Sequence, residues 1–305
     1  MIKSIADLYN INGQARKMAV VACQDHEVLE AAVESYEMGL TEPLLIGDKN
    51  KTYEIAQNIG IDISKFEFIQ EQDIVKASEI GVKLASSGQV DFLMKGLVDT
   101  SILLKAVLNK DWGIRKFKLL SHVMIYQVNT YHKLLFLTDG GMNLQPSLEE
   151  KVDIINNASL VARALGLKEI KVAALAAKEK VDPKMPATLD AGKLKEMYLE
   201  GKFAEDIIVD GPFALDLAVS KQACEIKGVN SMVGGDADIL LVPNIEMGNG
   251  IGKAITYLAN GESAGIIIGA SVPIVLTSRA DDKKTKLNSI ALGNAIAINS
   301  VHDEF

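Results

Sequence analysis

The alternation of β-rich and amphipathic segments constrains this chain more than any single residue. The runs KMAVVAC (17–23), EPLLIGD (42–48), FEFIQ (66–70), DFLMKG (91–96) and LLFLTDG (134–140) recur with helical stretches between most of them. That rhythm predicts a parallel sheet with crossover helices. After Gly140 it changes, because PSLEEKVDIINNASLVARALG opens a long helix with Ser147 and Glu150 as a capping box and Gly166 as its stop. A second series follows: KVAALAA (171–177), DIIVDGP (206–212), ADILLVP (237–243) and GIIIGASVPIVLTS (265–278), the last broken near Ser271 to Pro273. Residues 284–300 read as a closing helix. Two α/β units divided near residue 140 are expected, with the ligand in a cleft between two open sheets, at the carboxyl ends of strands.

Composition narrows what such a chain binds. A length of 305 residues suits one large or two medium domains. A net charge of -8 and a pI near 5.2 argue against nucleic acid as partner. An anionic ligand would therefore need local cations. The opening segment, with Lys3, Asp7 and no long apolar run, fits neither a secretory signal nor a transit peptide, so a cytoplasmic location is expected. The most apolar stretch, 264–276, is interrupted by Ser271 and Pro273, and no membrane span is expected. Cys23 and Cys224 lie far apart in apolar contexts, and the four histidines form no close-spaced cluster. These features predict structural thiols and no metal site.

Several strand-to-helix loops carry residues that core packing would not select. LLVPNIEMGNGIGKAI (240–255) runs from an apolar strand into Asn244 and glycines at 248, 250 and 252, then Lys253. Backbone N–H groups at the start of a helix, with a lysine one turn in, suit an anion; the alternative is a tight turn that needs glycine. The Walker A pattern fails at Met247 and Ala254, and the dinucleotide fingerprint fails at Lys253. LTSRADD (276–282) sets the Ser278 hydroxyl beside Arg279, whose planar fork suits phosphate or an oxyanion. The alternative there is a helix cap with a solvated arginine. Asp281 and Asp282 read either as helix N-terminal charges or, in the case of Asp282, as a catalytic base. TDGGMNLQP (138–146) brings Asp139 and Asn143 to a strand end, as hinge or ligand wall. VDGPFALD (209–216) places Asp210 and Gly211 at the end of a strand and Pro212 at a helix start; MKGLVDTS (94–101) places Lys95 at a strand end and Thr100 at the next helix.

In this order, TDGGMNLQP, VDGPFALDLAVS, GGDADILLVPNIEMGN, GIGKAI and PIVLTSRADD resemble the phosphate acetyl/butyryltransferase family, whose members convert acyl-CoA and phosphate into acyl phosphate and CoA. MKGLVDTS, TSRADD and the compact length look closer to the butyryltransferase branch. The resemblance implies two α/β domains of the isocitrate/isopropylmalate dehydrogenase type with a cleft between them, residues 1–139 plus 266–305 forming one and 140–265 the other. It implies catalytic roles for Ser278 and Arg279, and Asp282, one of the two acids that follow them, is the catalytic candidate beside them. Substrate contacts fall on Lys95, Thr100, Asp139, Asn143, Asp210, Gly211, Asn244, Gly248, Asn249, Gly250 and Lys253. The partners it implies are acyl-CoA and phosphate, with no cofactor or metal and a homo-oligomeric assembly. Acetyltransferases of the family carry an aspartate several residues beyond the serine-arginine pair, where this chain has Thr285, so the base stays open. Three other readings stand beside this one: a phosphate acetyltransferase, a non-catalytic protein that senses acyl-CoA or nucleotide, and a dehydrogenase of related architecture. Phosphate-dependent thiol release separates the enzyme from a sensor, and a dehydrogenase would need the dinucleotide fingerprint the chain lacks.

Overall fold

The computed structural model describes residues 2–11, 13–278 and 281–299. The chain divides into two compact units, one of residues 6–118 and 264–305, the other of residues 1–5 and 119–263. We call them the first and second unit. Entry into the second unit falls at Leu119 rather than at residue 140, and its exit at Ser263 rather than 265. The early entry has a physical cause, described below: an additional strand pairs with the run at 134–140.

The first unit begins β1 (Arg16–Val21), α1 (His26–Glu37), β2 (Thr41–Gly47), α2 (Lys49–Ile59), β3 (Glu67–Gln70), α3 (Ile74–Ser86), β4 (Phe92–Lys95) and α4 (Thr100–Val107). The second unit contributes β5 (Ser121–Gln127), β6 (Leu135–Thr138), α5 (Leu148–Ala164), β7 (Ile170–Leu175), α6 (Pro186–Leu199), β8 (Ile207–Phe213), α7 (Leu215–Val219), α8 (Lys221–Lys227), β9 (Ile239–Leu241) and α9 (Ile245–Leu258). The chain then returns to the first unit with β10 (Glu262–Ile268), β11 (Ile274–Val275) and α10 (Lys283–Asn299).

In the first unit the strands run β3-β2-β1-β4-β11-β10, parallel except for β10 against β11. The crossovers β1-α1-β2 and β3-α3-β4 travel in opposite directions. Right-handed connections therefore set α1 and α3 on opposite faces, and α1 packs on α10 while α3 packs on α4. Loops leaving β1 and β4, and those leaving β4 and β11, thus diverge and open crevices at the carboxyl ends of the strands. The helix α10 is buried from Lys286 to Ile296, and a Cβ at Gly293 would lie 2.8 Å from Val275 and 3.0 Å from Phe92.

In the second unit the order is β5-β6-β9-β7-β8, with β5 antiparallel to β6 in the register Val123↔Thr138 to Tyr126↔Leu135. The sheets are thus mixed rather than wholly parallel. Connections from β6 to β7 and β8 move one way, and those through β9 return. The reversal opens a crevice at the carboxyl ends of β6 and β9, where Thr138 pairs with Leu241. The α5 capping box forms as its sequence predicts: the Ser147 hydroxyl accepts the Glu150 N–H at 3.2 Å, and Glu150 accepts the Ser147 N–H at 2.8 Å. Gly166, at φ 89°, follows the last turn. Among the described residues no helix is long and apolar enough to cross a membrane.

Candidate active site

Two groups of expected site residues gather at strand ends, one in each unit. In the second unit Asp139 follows β6 directly and is 2% exposed. Its Oδ1 accepts the N–H groups of Gly141 at 2.9 Å and Met142 at 2.8 Å, and its Oδ2 accepts the His122 N–H at 3.0 Å and the Asn143 amide at 2.6 Å. Asn143 also donates to the Leu120 carbonyl at 3.0 Å. With four donors satisfied, the Asp139 carboxylate is an anchor for the 139–143 loop. The main chain of that loop, not the carboxylate, faces outward.

The glycine-bearing segment after β9 is helix rather than loop. Asn244 is its N-cap and accepts the Met247 N–H at 3.0 Å, so α9 starts at Ile245 and encloses all three glycines. Lys253 consequently lies in the third turn, exposed, and not one turn in. Tertiary packing overrides the low helix propensity of glycine at two of these positions. A Cβ at Gly248 would lie 2.6 Å from Gly140 Cα, and one at Gly252 would lie 2.5 Å from Tyr126 Oη. At Gly250 nothing lies within 4 Å, and Asn249 beside it is exposed. The first turns of α9 and the 139–143 loop therefore rest on each other. Ile245 N–H bonds to the Leu144 carbonyl at 3.0 Å and closes the arrangement.

Asp210 and Gly211 lie within β8, which continues through Pro212 to Phe213. The expected strand end and proline-led helix are therefore corrected: α7 starts at Leu215 after an Ala214 N-cap. Between Ala173↔Asp210 and Leu175↔Phe213 the partner strand advances two residues while β8 advances three, so a bulge absorbs the Gly-Pro pair. A Cβ at Gly211 would meet the Ala174 carbonyl at 2.7 Å. Asp210 binds Lys195 at 2.7 Å and accepts the Ser231 hydroxyl at 2.6 Å, which commits its carboxylate to holding β8, α6 and the 231–234 turn together.

In the first unit Lys95 ends β4 and is 7% exposed; its ammonium donates to the carbonyls of Gly96 at 3.2 Å and Val98 at 3.0 Å. Thr100 opens α4, with Asp99 as N-cap. The register Val275↔Met94 brings the β11 exit, and Ser278 with it, beside the Lys95 loop. Ser278 is exposed; its N–H donates to Asp281 Oδ2 at 2.7 Å. Asp282 accepts the Thr285 N–H at 2.8 Å and its carbonyl accepts the Lys286 N–H at 3.1 Å, the geometry of a cap on α10. Arg279, the expected oxyanion partner, lies outside the described residues.

Both cysteines are free and buried, and burial pushes the Cys23 thiol up to about 11, the range of an inert structural thiol. A cavity of about 310 Å³ in the second unit is lined by Tyr131, Leu135, Leu215, Leu240, Ile251 and Ile255. It contains none of the expected polar site residues. Sequence reasoning passed over His122, Lys195 and Ser231, whose partners are remote in the chain and visible only once the strands are in register.

Comparison with known proteins completes the assignment. Residues 70–294 match the family model described as Phosphate acetyl/butaryl transferase. A phosphate butyryltransferase of Clostridium acetobutylicum is 45% identical over 94% of this chain and 95% of its own length. A phosphate acetyltransferase of Thermotoga maritima is 39% identical over 93% of this chain and 96% of its own. Among solved structures, a branched-chain phosphotransacylase from Enterococcus faecalis aligns with a TM-score of 0.83 at 29% identity, covering 93% of this chain and all of that one. A 4-hydroxythreonine-4-phosphate dehydrogenase from Burkholderia phymatum, with a TM-score of 0.55 and 12% identity over 94% of this chain and 100% of its own, shares the fold alone. A family model spanning residues 70–294 and a relative 45% identical over 94% of the chain lead to one conclusion: the chain belongs to the phosphate acetyl/butyryl transferase family.

Proposed function

We propose that the chain transfers the acyl group of butyryl-CoA, or of a short branched acyl-CoA, to inorganic phosphate. The observation that carries the acyl class is the 45% identity to a phosphate butyryltransferase over 94% of the chain. An oxygen of hydrogen phosphate attacks the thioester carbonyl, the C–S bond breaks as the tetrahedral oxyanion collapses, and the phosphate proton ends on the CoA sulfur. No oxidation state changes, so the reaction calls for no redox cofactor, and no covalent enzyme intermediate is needed.

Ser278 donates a hydrogen bond to the oxyanion or thiolate, and the Arg279 guanidinium binds phosphate and the charge that develops. The exposed side chains of Asn249 and Lys253 on α9, where Gly250 leaves the surface open, hold phosphate groups together with the exposed main chain of the 139–143 loop. The fold class we assign is that of the isocitrate and isopropylmalate dehydrogenases, a reading supported by the likeness to 4-hydroxythreonine-4-phosphate dehydrogenase. Initial rates of phosphate-dependent thiol release with acetyl-, butyryl- and isobutyryl-CoA test the acyl class. Fastest turnover with a four-carbon substrate is expected, and preference for acetyl-CoA would reassign the chain to the acetyltransferase branch.

A further inference from the structure

Beneath the loop that follows β6 lies a side chain that no motif singles out. His122, in β5, is 7% exposed. A Cβ at Gly141 would lie 2.5 Å from its Nδ1, 2.9 Å from its Cγ and 3.2 Å from its Cε1. The imidazole is thus in contact with the Gly141 main chain, and no larger residue fits above it. Its backbone is fixed on both sides: the N–H donates to Asp139 Oδ2 at 3.0 Å, and the carbonyl accepts the Thr138 hydroxyl at 2.9 Å. One residue along, Gly140 meets Gly248, with a hypothetical Gly140 Cβ only 2.8 Å from the Gly248 carbonyl carbon. Contacts therefore run without a break from the His122 ring through Gly141 and Gly140 to Gly248, ending on the helical turn that carries Asn249 and Gly250.

We propose that His122 is a positioning residue for acyl transfer, resting on the function read above. Its ring sets the height of the Gly140–Gly141 main chain, and through it the spacing between the 139–143 loop and the first turns of α9. Burial keeps the ring from the reactants, so it acts through the loop and not on the substrate. Close packing makes such a support stiff: a smaller side chain leaves a void into which the loop settles, and a methyl on Gly141 lifts it. Groups that orient two reactants lose about 10²-fold in rate when displaced by an ångström.

The test compares Gly141→Ala, His122→Ala and the double variant in the full chain, reading kcat and KM for phosphate at saturating butyryl-CoA beside the thermal midpoint. Each single variant is expected to lose about 10- to 100-fold in kcat/KM while still folded. The double variant is expected to exceed both, because the added methyl occupies the space the ring vacates. A role confined to stability would lower the midpoint and leave kcat and KM of the folded protein unchanged. Additive losses in the double variant, or wild-type constants in folded His122→Ala, would overturn the proposal. If His122→Ala does not fold, His122→Asn takes its place in the same comparison. A wild-type protein without phosphate-dependent thiol release would instead defeat the functional reading, whereas an active wild type with unaffected variants defeats only the role of His122.

Discussion

Asp282 has its carboxyl held below the ordinary carboxylate range, first by the Thr285 N–H, with burial opposing and Lys286 and Lys284 adding their charge. A carboxylate so stabilised is a poor proton acceptor near neutrality. Since its folded pKa is depressed, its contribution to stability is complete above the unfolded value of about 4 and fades as pH falls through the lowered one. Asparagine caps helices as well as aspartate does. Asp282→Asn is therefore expected to keep both the fold and kcat to within about a factor of three, and loss of turnover in a folded variant would make this residue the missing base. At the neighbouring pair, Ser278→Ala is expected to retain phosphate-dependent activity lowered about 10²–10³-fold, the effect of removing one oxyanion donor. Arg279→Lys keeps the charge but loses the planar fork, and reduced kcat at an unchanged thermal midpoint is expected. Rapid mixing without phosphate gives an independent readout: a burst of CoA equal to enzyme would replace direct transfer with an acyl-enzyme.

The glycines of α9 separate two demands that look identical in sequence. Gly248 faces Gly140 Cα, and an added methyl has no room there, whereas Gly250 opens onto empty space. Gly248→Ala is expected to destabilise the protein by more than about 1 kcal/mol, as overpacking does. Gly250→Ala is expected to stabilise the helix by about 0.5–1 kcal/mol while lowering affinity for the anionic substrates. Paired melts and phosphate titrations decide both. This contrast also marks what the sequence could and could not reveal. The strand-helix rhythm, the α5 capping box, the α10 helix and the placing of Asp139 and Asn143 at a strand end all follow from local pattern, because each depends on neighbours a few residues away. The strand β5 escaped notice: no helix separates it from β6, so it breaks the crossover rhythm. The helical start at Ile245 escaped because glycine propensity argued for a loop, although Asn244 offered a local N-cap and contact with Gly140, more than a hundred residues earlier, requires glycine at 248. Asp210 looked like a strand end for a similar reason: Gly-Pro normally terminates pairing, and the bulge against β7 is a property of the partner.

Across the second unit, charge is concentrated at the amino ends of β6, β7 and β9. Asp236 accepts His132 at 2.7 Å and Lys171 at 2.7 Å, and Lys133 lies 3.2 Å from Asp236 and 2.6 Å from Asp238. Burial works against ionisation of Asp236, yet the hydrogen bonds from Lys171 and His132 and the charge of Lys133 hold its carboxyl far below the usual range. A depressed folded pKa means that this stabilisation is present above about pH 4 and is lost on further acidification. Asp236→Asn is thus expected to lower the thermal midpoint at pH 7 and to flatten its decline below pH 4, which melts across a pH series will show. The first unit has a different dependence, set by the order of its strands. The inner neighbour of β4 is β11, and the buried helix over both is α10, all supplied by the segment that follows residue 263. On the ribosome, every residue of the second unit has therefore been made before the centre of the first unit exists. Because domains fold as units, the first unit can close only after residue 263 has been made, when β11 supplies the partners of Leu93 and Met94.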